Sequence, residues 1–187
     1  MKIILLGPPG AGKGTQAENI SNNFNIKKIS TGDLFRSHIK KNTELGKIAK
    51  EYYVKGDLVP DKIPTGMVKE WILNQTDNGW LLDGFPRNIK QAESLNMILD
   101  SINSNIDAVL LINVNTELLI KRLLNRQTIE KREDDNLNTI KNRISIYEKE
   151  TNPLIDFYNE KKILCKIDGN NSIESVFNDI KNHLKNK

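Results

Sequence analysis

The sequence predicts an α/β domain with a doubly wound, five-stranded parallel sheet that helices cover on both faces. Five short apolar segments recur along the 187 residues, and most of them are continuous runs rather than alternating patterns. Continuous runs are typical of parallel strands that are buried on both faces. Segments with helical spacing lie between these runs, and this alternation favours a doubly wound sheet. A chain of this length is expected to form one domain, with room for small insertions.

The predicted strands are the apolar runs at residues 2–6, 28–30, 80–83, 108–113 and 163–167. The predicted helices cover residues 15–24, 63–73, 117–125 and the C-terminal segment from residue 173 to residue 184. Pro64 stands near the start of the second helix, where proline is favoured. Asn171 and Glu174 are spaced like a capping box ahead of the last helix, whose apolar residues form one stripe.

Two stretches interrupt the alternation of strands and helices. Residues 31–59 form a long, mostly helical excursion between the second strand and the next crossover helix. Residues 127–131 form a short polar segment between Arg126 and Arg132. We therefore expect two insertions on an otherwise regular sheet.

The charge and hydrophobicity of the sequence limit the kinds of molecule that the protein is expected to bind. The 28 Lys and Arg residues exceed the 24 Asp and Glu residues, for a net charge of +4. This charge fits either a general attraction for nucleic acid or anionic membranes, or a cleft whose arginines face anionic small molecules. No basic stretch is interleaved with aromatic residues, which argues against a nucleic-acid surface. No apolar run approaches the roughly 18 residues of a membrane helix, so no membrane partner is expected.

Cysteine usage and the N-terminus add two expectations. The single cysteine, Cys165, excludes an internal disulfide and a cysteine-rich zinc site, and it lies in a predicted strand as a core residue. The N-terminal apolar stretch is too short for the hydrophobic region of a signal peptide. These features predict a cytoplasmic protein without zinc.

The strongest motif is Gly-Pro-Pro-Gly-Ala-Gly-Lys-Gly-Thr at residues 7–15, called here the phosphate loop. It follows a predicted strand and opens a predicted helix. Glycines let backbone N–H groups approach phosphates closely, and the helix N-terminus adds free N–H groups and a positive dipole end. Lys13 has the reach to contact β- and γ-phosphates. Because Gly14 follows Lys13 directly and the hydroxyl comes at Thr15, the motif does not assign a magnesium ligand to Thr15.

Two further motifs make the chain resemble the adenylate kinases. They are Ile-Ser-Thr-Gly-Asp-Leu-Phe-Arg at residues 29–36 and Leu-Leu-Asp-Gly-Phe-Pro-Arg at residues 81–87, and the resemblance covers essentially the whole chain. The Asp-Gly-Phe-Pro-Arg signature is specific to nucleoside monophosphate kinases. The resemblance implies a P-loop kinase fold and reversible transfer of the γ-phosphoryl group from ATP to AMP, giving two ADP.

The resemblance also implies a division into three parts. The core would comprise residues 1–29, 60–121 and 133–187. The insertion, at residues 30–59, would bind the nucleoside monophosphate, and a short lid would cover residues 122–132. The insertion and the lid would close over a rigid sheet, since the reaction must exclude water.

The chemistry of the reaction agrees with the charged residues of these motifs. Phosphoryl transfer depends on positioning and on positive charge around the transferring group, and guanidinium groups match phosphate oxygens well. No general base is needed, because the acceptor phosphate oxygen is already deprotonated, and neither His38 nor His183 falls in a motif. The resemblance implies that five of the cationic residues act in catalysis: Lys13, Arg87, Arg126, Arg132 and Arg143.

The resemblance assigns two nucleotide pockets residue by residue. The residues implied to hold ATP are Gly10, Ala11, Gly12, Lys13, Gly14, Thr15, Arg122, Arg126 and Asn171. Of these, Arg122 would stack on the adenine, Arg126 would bind phosphate, and the backbone carbonyl of Asn171 would read the adenine amino group. The residues implied to hold AMP are Thr31, Arg36, Asp57, Leu58, Val59, Gly84, Phe85, Pro86, Arg87, Gln91, Arg132 and Arg143.

Magnesium is the cofactor that the resemblance implies. Asp83 matches a carboxylate that acts on Mg²⁺ through bound water, and Asp33 matches a second such carboxylate, with no direct protein ligand. Mg²⁺ prefers carboxylates together with retained waters. Asp33 is equally well interpreted as the cap of a helix that begins at Leu34.

The lid is the clearest departure from the long bacterial members of the family, which insert several tens of residues there, often with a cysteine zinc site. Here only five residues separate Arg126 from Arg132, and none of them is glycine, although short forms often have glycines in this loop. We therefore expect a lid that is stiffer, or that continues the preceding helix, and that pivots at its ends.

The acceptor nucleotide depends on Gln91. An amide pairs with the N1 acceptor and the N6 donor of adenine, whereas relatives that take UMP or CMP carry Asn at the corresponding place. Gln91, together with Thr31, therefore favours AMP. The alternatives are a UMP/CMP kinase and a non-catalytic nucleotide-sensing P-loop module, although a sensor has no need for the full cationic set. The expected partners are ATP, AMP and ADP, bound by a monomer.

Overall fold

The computed structural model describes residues 1–75, 79–130, 132 and 136–185. Its strands form one five-stranded sheet in the order β2-β3-β1-β4-β5, and every pair of neighbours is parallel. The strands are β1 (Lys2–Leu6), β2 (Lys27–Ser30), β3 (Trp80–Asp83), β4 (Ala108–Asn113) and β5 (Leu164–Asp168). The predicted fold class is thus confirmed. The strand bounds differ from the predicted ones by one residue, at the start of β2 and at both ends of β5.

Helices connect the strands and cover both faces of the sheet. They are α1 (Lys13–Phe24), α2 (Thr31–Lys40), α3 (Glu44–Tyr53), α4 (Lys62–Leu73), α5 (Ile89–Asp100), α6 (Thr116–Glu130), α7 (Leu137–Ile146), α8 (Leu154–Glu160) and α9 (Ile173–Lys185). A π-helical turn, Tyr147–Thr151, joins α7 to the segment before α8. The sequence analysis assigned no helix to α5, α7 or α8. Among the described residues, no helix is long and apolar enough to cross a membrane.

The central strand β1 shows why the strand segments of the sequence are continuous apolar runs. Ile4 and Leu6 pack on one face against side chains of α4, α5 and α8, whereas Ile3 and Leu5 pack on the other face against α1 and α9. All four side chains are essentially buried. Successive strand residues point to opposite faces, so a strand covered on both sides must be apolar throughout. Cys165 is partly buried against the α1 and α9 side, as expected of core packing.

The excursion at residues 31–59 folds into α2 and α3 and has a small core of its own, built on Phe35, Ala49 and Val59. Ser30 caps α2, since its hydroxyl accepts a hydrogen bond from the Asp33 N–H at 3.3 Å. The alternative interpretation of Asp33 as a cap at Leu34 is therefore wrong. The helix begins three residues earlier, at Thr31, because a serine stands in the favoured capping position.

The predicted capping box of Asn171 and Glu174 is also wrong. The Ser172 hydroxyl accepts from the Ser175 N–H at 3.2 Å at the start of α9, while the Asn171 side-chain amide donates to the Asp168 carboxylate at 3.2 Å. Asp168, at the end of β5, also accepts two hydrogen bonds from Asn170. The carboxylate therefore draws both asparagines towards the strand end and leaves the capping position to serine.

The predicted lid is not a separate loop but is largely helical. Helix α6 runs without a break from Thr116 to Glu130, so most of the predicted lid belongs to this helix. Of the two alternatives for a glycine-free lid, the continuation of the preceding helix is the one observed. Of the predicted lid, residues 122–132, only residue 131 lies outside the described part of the chain.

Candidate functional site

The phosphate loop joins β1 to α1 at the carboxyl end of the sheet. Gly10 has φ +83°, and a Cβ there would lie 2.9 Å from Leu123 Cγ, so the loop passes too close to α6 for any side chain. Gly12, at φ +89°, precedes α1, and a Cβ on it would meet no atom within 4 Å. The loop is thus pressed against the protein at Gly10 and open towards the cleft at Gly12. This geometry exposes backbone N–H groups at the start of a helix, where anions bind.

Lys13 lies over this loop. Its ammonium group donates to the carbonyls of Gly7 at 2.7 Å and Pro8 at 3.0 Å. Desolvation by burial lowers the pKa of Lys13 to about 8, against the opposing effect of Asp83 and with a further contribution from arginines such as Arg87. A bound polyphosphate would reverse this effect, since negative charge favours the protonated amine.

One cleft of about 720 Å³ brings most of the predicted site residues together. It lies between the phosphate loop, α6 and the start of the insertion. The predicted residues that line it are Gly10, Ala11, Gly12, Lys13, Gly14, Thr15, Asp33, Arg36, Asp83, Gly84, Arg87, Arg122, Arg126, Arg132, Arg143 and Asn171. A second cavity of about 70 Å³ shares Lys13, Gly84, Arg87 and Arg143 and adds Leu58 and Pro86.

Several arginines of the cleft are already hydrogen-bonded within the protein. Arg36 donates to the Tyr53 hydroxyl and to the Asp33 carboxylate. Arg122 donates to the carbonyl of Gly169 at 3.0 Å. These contacts fix the guanidinium groups at the wall of the cleft before any ligand arrives.

Arg87 and Arg132 complete the cationic lining. Arg87 Nε donates to the carbonyl of Gly84 at 2.9 Å, and burial lowers the pKa of its guanidinium below the ordinary value. Arg132 Nε donates to the Glu130 carboxylate at 2.5 Å, at the end of α6. The cleft therefore concentrates positive charge, as sites for polyphosphates do.

Asp83 is the carboxylate at the end of β3, and it faces this positive charge. Burial raises its pKa, and Lys13 and Arg87 act in the opposite direction. The described residues contain no group of three or more His, Cys, Asp or Glu side chains that could hold a metal ion by themselves. Asp83 beside the phosphate loop, with Asp33 in the same cleft, fits Mg²⁺, which usually keeps several waters and binds through one or two carboxylates plus substrate phosphates.

Five of the predicted residues line neither of these two cavities: Thr31, Asp57, Val59, Phe85 and Gln91. Thr31 donates to the carbonyl of Gly84 at 2.8 Å, and Phe85 is buried in the main core. Val59 belongs to the small core of the insertion. Gln91 is only 2% exposed, and both ends of its amide are hydrogen-bonded within the protein.

Three side chains next to the site were missed by the sequence analysis. Tyr53 lines the cleft beside Arg36, Asp61 binds the amide of Gln91, and Asn142 binds the segment that follows α3. None belongs to a motif in this sequence. The only local signal is the position of Asp61 ahead of a helix, which suggests a cap rather than a partner for Gln91.

Comparisons with known proteins agree on one family. The family model described as adenylate kinase matches residues 5–163. Proteins named adenylate kinase from Clostridium botulinum (strain Eklund 17B / Type B) and Caldanaerobacter subterraneus subsp. tengcongensis are each 44% identical to this chain. The alignments cover 96% and 98% of this chain and 97% and 96% of those proteins. The one from Staphylococcus aureus (strain Mu50) is 45% identical, over 96% of this chain and 97% of its own length. These alignments span 208 to 212 positions, more than the 187 residues of this chain, so the relatives carry residues that it lacks.

Proposed function

This chain belongs to the adenylate kinase family, and we propose that it transfers the γ-phosphoryl group of ATP reversibly to AMP, giving two ADP. The observation that carries this proposal is the single cleft in which the phosphate loop and Lys13 face four arginines of the predicted catalytic set, Arg87, Arg126, Arg132 and Arg143. Two nucleotides that meet end to end would place their phosphates in the middle of this charge.

The proposed mechanism is positioning and electrostatic stabilisation, without a covalent intermediate. Residues 10–15 of the phosphate loop hold the ATP phosphates through backbone N–H groups, and Lys13 leaves its two carbonyl partners to bind them. Arg126 binds phosphate from α6. A preorganised cation beside a developing negative charge is worth roughly 3–4 kcal/mol in transition-state stabilisation.

The adenine of ATP is assigned to the far end of the cleft. Arg122 would stack on the base, and its guanidinium is held in place by the Gly169 carbonyl. The backbone carbonyl of Asn171 would accept from the adenine amino group. The contact between Asn171 and Asp168 supports this role, because it fixes the side chain and leaves the carbonyl for the ligand.

The monophosphate is assigned to the side of the insertion. Arg36 and Arg87 bind its phosphate, and Arg132 and Arg143 approach the transferring group from the lid side. The segment 57–59 contacts the nucleoside through its backbone, next to Thr31 and to the segment 84–86. Gln91 reads the base edge, although its amide already has partners within the protein.

The residues that would hold magnesium in this proposal are carboxylates of the cleft wall. Asp83 would hold the ion through water, with Asp33 as the second carboxylate on the same wall of the cleft. When bound with ATP, Mg²⁺ would supply positive charge that offsets the negative charge developing during transfer. Burial raises the pKa of Asp83 despite the opposing effect of Lys13 and Arg87, and a cation bound beside this carboxylate would favour its ionised form. The cytoplasmic location and the monomeric state remain predictions.

The experiment that tests the function is a coupled assay with ATP and one of AMP, UMP, CMP or GMP as acceptor. We expect turnover with AMP to exceed that with each other acceptor by at least tenfold in kcat/KM. Preference for UMP or CMP would make the chain a pyrimidine nucleotide kinase. ATP binding without turnover on any acceptor would make it a sensor.

A further inference from the structure

The buried side-chain amide of Gln91 has a hydrogen-bond acceptor as partner at its nitrogen and a hydrogen-bond donor as partner at its oxygen. Its Nε2 donates to Asp61 Oδ1 at 2.7 Å, and its Oε1 accepts from the backbone N–H of Arg87 at 2.8 Å. A carboxylate can only accept and an amide N–H can only donate. The two partners therefore determine which end of the amide carries the oxygen. With 2% of Gln91 exposed, no bulk water compensates for a reversed amide.

Asp61 is itself held for this contact. Its Oδ1 also accepts from Asn88 Nδ2 at 2.9 Å, while Asn88 Oδ1 accepts from the Gln91 N–H at 2.9 Å. The three side chains thus tie the start of α4 to the first turn of α5. Aspartate directly before a helix usually caps it. Asp61 precedes α4 without capping it through its side chain, so its carboxylate serves Gln91 and Asn88 instead.

The amide of Gln91 has hydrogen-bonding capacity left. A primary amide offers two N–H groups and two lone pairs, so one of each remains after the contacts to Asp61 and Arg87. The edge of adenine offers an acceptor at N1 and a donor at the 6-amino group. In the pairing proposed for this site, Gln91 Oε1 accepts from the 6-amino group and the remaining N–H of Nε2 donates to N1. Hypoxanthine and guanine offer a donor at N1 and an acceptor at O6, so they require the reversed amide.

We propose that Asp61 is a positioning residue that locks the orientation of the Gln91 amide and thereby selects 6-aminopurine over 6-oxopurine monophosphates. This inference rests on the proposed function, in which Gln91 reads the acceptor base. Without such a restraint, the side-chain amide of a glutamine can rotate by 180° and pair with the base edge of either a 6-aminopurine or a 6-oxopurine. Reversal here would set Nε2 against the Arg87 N–H and Oε1 against the Asp61 carboxylate. Two favourable contacts would then become two repulsive ones in a buried site.

The test replaces Asp61 by asparagine, which keeps the size of the side chain but can present either an oxygen or an amino group to Gln91. The measured quantity is the ratio of kcat/KM for AMP to kcat/KM for inosine monophosphate, at saturating ATP. We expect Asp61→Asn to lower this ratio by about tenfold and to leave KM for ATP unchanged. Asp61→Ala should lower it at least as far. The matched control is Asp100→Asn, at the exposed end of α5, which should keep the wild-type ratio.

A merely structural role for Asp61 would lower the melting temperature and reduce both kcat/KM values by the same factor. That result, or an unchanged ratio in folded Asp61→Asn and Asp61→Ala proteins, overturns the inference. Gln91→Ala separates it from the underlying function. If Gln91→Ala weakens AMP but Asp61→Asn keeps the ratio, only the role of Asp61 fails. If Gln91→Ala leaves AMP unaffected, the assignment of Gln91 as the base reader fails as well.

Discussion

The two halves of the cleft are built in different ways. In the triphosphate half, the phosphates are assigned to the backbone of one contiguous segment, the phosphate loop, which is shaped by close contact with α6 at Gly10 and by the start of α1 after Gly12. The side contacts in this half are assigned to Arg122, Arg126 and Asn171. The monophosphate half is assembled from side chains of separate segments. There Arg36 is bonded to Tyr53 and Asp33, and other side chains make contacts across 30 residues or more of sequence.

This difference predicts how each half responds to mutation. The backbone of the phosphate loop needs little rearrangement to bind phosphates. The side chain of Lys13 therefore acts mainly on the transferring phosphoryl group. In the monophosphate half, polar side chains already have hydrogen-bond partners within the protein. A ligand must therefore displace those partners or bind to the donors and acceptors that remain unused. Apart from the catalytic arginines Arg87, Arg132 and Arg143, changes there should alter the affinity for one nucleotide rather than the chemical step. Mutations of Lys13, Gln91 and Asn142 and the pH dependence of the rate can test this contrast.

Lys13→Ala should have the largest effect. Removing the single ammonium group of the phosphate loop should reduce kcat by about 10²–10³-fold, because a preorganised charge at the transferring phosphate is lost. The protein should stay folded, since the hydrogen bonds that the amine makes to described residues go to two loop carbonyls rather than to the sheet or its helices. Turnover by the coupled assay and circular dichroism measure the two effects. Lys69→Ala, at an exposed position of α4, is the control and should keep wild-type turnover. A folded Lys13→Ala protein with normal turnover would contradict the assignment.

The same contrast explains what could be predicted from the sequence. The phosphate loop and the parallel sheet are local patterns, so both were predictable and the fold agrees with them. Asp61 and Asn142 could not be found in this way, because their partners lie 30 and 85 residues away in the chain. The capping residue of α9 was misplaced for a related reason. Two candidate caps, Asn171 and Ser172, stand side by side, and a contact to Asp168 decides between them.

Gln91→Ala should affect the monophosphate half alone. We expect KM for AMP to rise by about tenfold and KM for ATP to stay the same, since a hydrogen bond to the acceptor base would be lost at a cost of about 1–3 kcal/mol. Initial rates with each nucleotide varied in turn measure both constants. Equal changes in the two constants would mean that Gln91 supports the whole cleft, through Asp61 and Arg87, rather than reading one base.

The pH dependence of the rate should distinguish the free phosphate loop from the phosphate loop with ATP bound. Burial lowers the pKa of Lys13 to about 8, so the free protein loses this charge as the pH rises through about 8. The ratio kcat/KM for ATP reports the free protein and should fall above that pH, approaching about tenfold per pH unit. Bound phosphates raise the pKa of the amine again, so kcat should stay level to higher pH.

Rate profiles between about pH 6.5 and pH 9.5 measure this dependence, with ATP varied at AMP well below its KM for the free protein and at saturating AMP for kcat. Lys13→Arg provides the matched variant, because a guanidinium keeps its charge over this range and its residual activity should show no such fall. A wild-type kcat/KM that stays level to the highest pH would show that Lys13 does not titrate in the free protein.

The smallest effect is expected where α7 braces the segment after α3. Asn142 Nδ2 donates to the carbonyl of Lys55 at 2.7 Å and to the Asp57 carboxylate at 2.8 Å. Between these partners, Gly56 has φ +76°, and a Cβ on it would lie 2.9 Å from Arg143 Cγ. The segment is therefore packed tightly on α7 and leads directly into residues 57–59, whose backbone is assigned to AMP.

Asn142→Ala should loosen this brace while leaving the phosphate loop intact. A hydrogen bond of this kind contributes about 1 kcal/mol, so KM for AMP should rise by a few fold, with kcat and KM for ATP unchanged. Asn159→Ala, at an exposed position of α8, is the control and should leave all three constants at their wild-type values. If Asn142→Ala instead reduced kcat with KM for AMP unchanged, the brace would act through Arg143, its neighbour on α7, on the transferring phosphate. The division between a backbone half and a side-chain half would then fail at this helix, because α7 would serve the chemical step as well as AMP binding.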